Sequence, residues 1–141
     1  MAGRAVFRAA RIPFVLRALT ALQLHYLRKD PDRLLSLMFR EAPEADRAVL
    51  DSPTHRSAIL QALTDSLPTP AYRNAIARYT QSWAYLLPLV TCPVTLHHGS
   101  ADTWAPPAMS EALASHLPNA TLNAHSGLGH YLTLYTILPD L

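Results

Sequence analysis

The sequence predicts an α/β protein: an all-helical region followed by a parallel β-α-β unit. Two observations carry this. In the first 87 residues, apolar positions recur at helical spacing between prolines, and no stretch alternates as a strand does. Near the C-terminal end, two short apolar β-type runs (residues 93–97 and 120–124) flank one helical stretch (105–117). Strands joined through a helix pair in parallel, with a right-handed crossover. The expected organisation is therefore 1–87 helical and 88–141 α/β.

The elements follow in order. Residues 6–26 form a helix punctuated by Pro13, with Phe14, Val15, Leu19, Leu22 and Tyr26 expected on one buried face. Asp30-Pro31 ends it. A second helix over 32–40 carries Leu34, Leu35, Leu37 and Met38, and Pro43 closes it. Residues 44–50 make a short helix with a charged face. There Arg40, Arg47, Glu41 and Glu44 are expected to form surface pairs worth a few tenths of a kcal/mol each. Ser52-Pro53 caps a helix reaching Ser66, with Ile59, Leu60 and Leu63 as its stripe. Pro68 and Pro70 mark a linker, and 71–87 is a further helical pattern with Tyr72, Ile76, Tyr79, Trp83 and Leu86 near one face. Trp83 and Tyr85 read as packing residues. Pro93 opens the first strand, where its missing N–H does least damage. Pro118-Asn119 turns the chain into the second strand. A short apolar helix over 131–138 ends at Pro139.

Composition narrows the classes of function. The chain has 141 residues, half of them apolar and 16% charged, which suits one folded domain with a modest core. No uncharged apolar run approaches the ~20 residues of a membrane span. All 12 basic residues lie at or before Arg78 and are interleaved with acids, giving that part a net charge of +5; the remainder carries −3. Arginines scattered through helices are a solvated face, so nucleic-acid binding is not expected. The first 29 residues hold six basic residues and no acid, compatible with an amphipathic presequence but read as an ordinary surface helix. One cysteine, Cys92, allows no intrachain disulfide and is expected as a small buried hydrophobe. A cytoplasmic location is the expectation.

The chemistry-bearing residues are Asp102 and His130. Each follows the C-terminal end of a predicted parallel strand, where open α/β sheets place their reacting groups. A histidine held by a carboxylate keeps one tautomer, can take a proton from a nucleophile, and is stabilised as imidazolium by the acid. The bland alternative is an ion contact between two surface loops. Gly127 and Gly129 let the loop before His130 turn tightly. Trp104 either lines a substrate pocket or packs against the acid loop. His97, His98, His125 and His130 invite a metal reading. Adjacent strand residues point to opposite faces, however, so His97 and His98 do not share an ion easily.

Residues 91–131 resemble the C-terminal part of the α/β-hydrolase superfamily. The pieces that carry the resemblance are CPVTLHHGSAD, the following PP, LPNATL and SGLGHY. RIPFVLRAL, EAPEADRAVL and QSWAYLL look, more loosely, like the helical cap that such enzymes insert ahead of the acid strand. The resemblance implies Asp102 as the triad acid, His130 as the triad base and hydrolysis of an ester, epoxide or related bond in a small molecule, with no metal or organic cofactor. One departure stands out. The four glycines, at 3, 99, 127 and 129, nowhere bracket a serine, cysteine or aspartate in a nucleophile elbow. Ser100 and Ser126 lie near the acid and the histidine but not on a strand-to-helix turn. The chain alone is therefore expected to be inactive. Two other readings stand beside it: a non-enzymatic fragment that docks to another subunit through its exposed sheet edge, and a helical binding module formed by residues 1–87.

Overall fold

The computed structural model describes residues 12–138. The chain is α/β at a coarse level: mostly helical, with one small parallel sheet. It divides into two compact units. The first comprises the described residues up to Glu41 together with Leu50–Gln81; the second comprises Ala42–Val49 and the described chain from Ser82 onward.

The first unit is built from four helices: α1 (Pro13–Lys29), α2 (Pro31–Met38), α4 (Pro53–Ser66) and α5 (Pro70–Tyr79), with α3 (Glu44–Ala48) falling in the second unit. Each begins with proline in its first turn, where the absent N–H has no acceptor to lose. Asp30 serves two helices at once. Its N–H closes α1 on Tyr26 O at 2.8 Å, and its carboxylate accepts from Arg33 N at 2.9 Å to open α2. Ser52 and Thr69 cap α4 and α5 through the N–H of His55 and Tyr72. Leu16, Leu34, Leu35, Phe39, Ile59, Leu67 and Ile76 are buried. The face of α1 differs from the expected one. Leu16 and Thr20 are buried, whereas Phe14 is 79% exposed and Leu22 53%. Leu16 packs with Ile76 and Tyr72, a partner far along the chain that decides which of two apolar stripes turns inward. Of the expected first helix, residues 6–11 lie outside the described residues.

The second unit contains α3 (Glu44–Ala48), β1 (Val94–Gly99), α6 (Ala108–His116), β2 (Ala120–His125) and α7 (His130–Ile137). The strands pair in parallel, from Val94 opposite Ala120 to Gly99 opposite His125. Both run one or two residues beyond the expected runs. Along β1, Val94, Leu96 and His98 are half-buried while Thr95 and His97 are exposed, the alternation of a sheet covered on one face. Where a single helix over 71–87 was expected, α5 stops at Tyr79 and a 3₁₀ segment follows over Ala84–Leu89. The Thr80 hydroxyl donates back to Ala77 O at 2.8 Å, and Pro88 denies the later turn an amide donor. Cys92 is exposed, not buried, because it precedes the strand rather than entering it. Tyr85 is 71% exposed, which leaves it little of the packing role expected of it. Where a surface ion pair was expected of Arg47, its guanidinium donates to Ala42 O at 3.0 Å.

Candidate active site

Two loops at the C-terminal ends of β1 and β2 form the site, and backbone hydrogen bonds join them. Ser100 N–H donates to His125 O and Ala101 N–H to Leu128 O, each at 2.9 Å. Gly127, at φ +74°, turns its N–H onto the Ser100 hydroxyl at 2.9 Å. A side chain is strained at that φ, which explains the glycine. The Ser100 hydroxyl is thus occupied in holding the loops together. Ser110, which is buried, donates to Pro107 O at 2.9 Å.

Asp102 is 8% exposed, and each of its carboxylate oxygens is engaged. Oδ1 accepts the N–H groups of Trp104 at 2.7 Å and Ala105 at 2.9 Å, an Asx-type turn that fixes the side chain against its own loop. Oδ2 lies 2.8 Å from His130 Nδ1. Residues 28 apart in sequence thus meet over neighbouring strand ends. A carboxylate accepts only, so Nδ1 carries the proton and Nε2 is left with a lone pair when the ring is neutral. The His130 side chain is 47% exposed. Trp104 lies against it nearly parallel, at 17° with centroids 6.1 Å apart, and Tyr131 meets it edge-on at 5.5 Å.

His98 supports the acid from the strand. Its Nε2 donates to Ala105 O at 2.9 Å and stands 3.6 Å from Asp102 Oδ2. A carbonyl oxygen cannot donate, so His98 carries its proton on Nε2. The other histidines do not gather into a metal centre. His97 pairs with His125, Nδ1 to Nε2 at 2.9 Å, away from the partners of His98 and His130. Among the described residues no group of three or more His, Cys, Asp or Glu is disposed to hold a metal ion.

The two protonation equilibria are displaced in opposite directions. Burial alone would raise the Asp102 carboxyl, but the hydrogen bond to His130, the two loop amides and the imidazole charge outweigh it, and the pKa falls. For His130 the hydrogen bond it donates to Asp102 is the largest influence and raises the pKa; burial opposes it, and the negative charges of Asp102 and Asp46 add to the rise. The consequence for stability has a definite sign. The contribution of Asp102 is present above its unfolded value of about 3.9 and lost as pH falls through the lower folded value. That of His130 is full below its unfolded value of about 6.5 and lost as pH rises through the higher folded value. The pair should therefore stabilise the protein most between about pH 4 and 6.5. Thermal melts of wild type and Asp102→Asn across pH should diverge most in that window and less on either side of it.

A cleft of about 470 Å³ opens beside the pair, lined by His130 and Asp102 on its polar side and by Met109, Leu113, Leu134 and Ile137 on its apolar side. Its size and lining suit a small, largely apolar molecule. No protein-family model, curated protein or solved structure matches the chain.

One residue of the site escaped sequence reading. Asp46, on α3, is completely buried; its Oδ2 accepts His130 N–H at 2.8 Å and its Oδ1 accepts Leu132 N–H at 2.9 Å. The segment looks like an exposed charged helix, and only Asp46 of its charges turns inward. A single acid at helical spacing gives no signal of this; its partner is 84 positions away.

Proposed function

We propose that the second unit supplies the acid and base of an α/β-hydrolase-type triad acting on an ester, epoxide or related bond of a small molecule. The observation that carries this reading is the 2.8 Å hydrogen bond between Asp102 Oδ2 and His130 Nδ1, made where two neighbouring parallel strands end. His130 Nε2 takes the proton of an attacking hydroxyl or water, Asp102 stabilises the resulting imidazolium, and the same nitrogen returns the proton to the leaving group. The apolar cleft beside the ring holds the substrate. The nucleophile comes from a polypeptide segment other than the described residues, of the G-x-S-x-G type or its equivalent.

The test has two arms. The purified 141-residue chain is expected to hydrolyse activated esters at the buffer rate; turnover that vanishes in His130→Ala would overturn the assignment of the nucleophile to another segment. Co-expressed with the segment encoded immediately upstream, read in all frames, the chain should gain turnover that His130→Ala abolishes. No gain would overturn the hydrolase reading. One observation favours a second reading, a non-enzymatic module that docks to another subunit: among the described residues neither outer edge of the two-stranded sheet has a partner strand.

A further inference from the structure

We propose that Asp46 is a positioning residue for His130: a buried carboxylate, far upstream in sequence, that sets the imidazole through its backbone and adds its charge to the support of the protonated ring. This rests on the reading of His130 as a general base.

The geometry is specific to His130. The two amides that Asp46 accepts belong to the first and third residues of α7, the first being His130 itself. Gly129, just before α7, has no side chain with which to cap those amides. A Cβ at Gly129 would collide with the Asp46 carboxylate, so the loop and the acid are fitted to each other. His130 is thereby held at two points, its main chain by Asp46 and its Nδ1 by Asp102.

Capping alone does not explain the residue type. Serine or asparagine caps a helix as well as aspartate does. A fully buried carboxylate also carries a desolvation penalty unless something offsets its charge. Two neutral amides satisfy its oxygens as acceptors without neutralising it, and Arg47, the adjacent cation, is turned away to Ala42 O. The imidazolium of His130, which feels the Asp46 charge, is a charge that can answer it. The groups around His130 are then Asp46 from α3 at its main-chain N–H, Asp102 from the loop after β1 at its Nδ1 with His98 behind it, Trp104 on the ring face and Tyr131 at its edge.

The test is the titration of His130 in the full chain, followed by NMR at its Cε1–H, in wild type, Asp46→Asn and Asp102→Asn. Asp46→Asn keeps an acceptor oxygen for one amide and removes the charge. It is expected to lower the His130 midpoint relative to wild type in a chain whose amide spectrum remains folded. An unchanged midpoint in folded Asp46→Asn would show a cap and nothing more, and would overturn the proposal. If Asp46→Asn does not fold, the wild-type chain still decides. The Asp46 ¹³Cγ resonance should carry an inflection at the His130 midpoint, and a flat trace would overturn the proposal. Asp102→Asn separates the two failures: a His130 midpoint unmoved by that substitution sinks the acid–base pair itself, whatever Asp46 does.

Discussion

On the proposed hydrolase reading, Asp102→Asn should leave a triad completed by a serine with roughly one ten-thousandth of its turnover. The reason lies in the loop. Asp102 Oδ1 is held by the N–H groups of Trp104 and Ala105, so an asparagine there would keep its oxygen on those donors. Its amide N–H₂ would then face His130 Nδ1, where the carboxylate Oδ2 now stands. A donor facing Nδ1 forces that nitrogen to accept, and the ring proton moves to Nε2. The nitrogen that should take a proton from the nucleophile would already hold one. The change is readable in the chain without any nucleophile. The imidazole ¹⁵N resonances of neutral His130 should report the Nδ1–H tautomer in wild type and the Nε2–H tautomer in Asp102→Asn. Retention of the wild-type tautomer would contradict this account.

Phe39→Ala should destabilise the protein by about 3–5 kcal/mol, because a large side chain is removed from a place that cannot easily close over the gap. Phe39 is 2% exposed and ends α2, its N–H donating to Leu35 O at 2.9 Å. Leu35 and Leu67 are as deeply buried in the same unit, at 1% and 0%. Against a total stability of about 5–15 kcal/mol, such a loss is a large share. Urea unfolding followed by circular dichroism measures it. Phe14→Ala is the control: with its ring 79% exposed, the expected change stays within about 0.5 kcal/mol.

Local chemistry was legible in the sequence and long-range partnership was not. Proline and cap residues marked most helix starts to within a residue or two, because a missing N–H and a short polar side chain act within one turn. Two apolar runs flanking a helix were enough to name both strands and their parallel pairing, since that connection leaves few alternatives. Asp102 and His130 stand out in the sequence because each lies on the loop that follows a strand, a position fixed locally, and the structure brings the two side chains together. The inward face of α1 was not found, because Leu16 is chosen by Ile76 and Tyr72 from a later helix. Asp46 is not marked out in its charged helix for the same reason. Its burial is decided by the amides of His130 and Leu132, and nothing within a helical turn of it announces them. Trp104, left between pocket wall and packing, lies against the imidazole itself.

The bond between Asp46 and His130 also has a kinetic meaning. It closes a ring of more than eighty residues, and closing so long a loop costs chain entropy before any contact repays it. The neighbouring strands and the Asp102 turn close shorter loops and can assemble earlier. Of the links that hold His130, this one therefore costs the most chain entropy to close. A chain clipped between the two would hold every residue of the acid–base pair and lack the anchor that aims it.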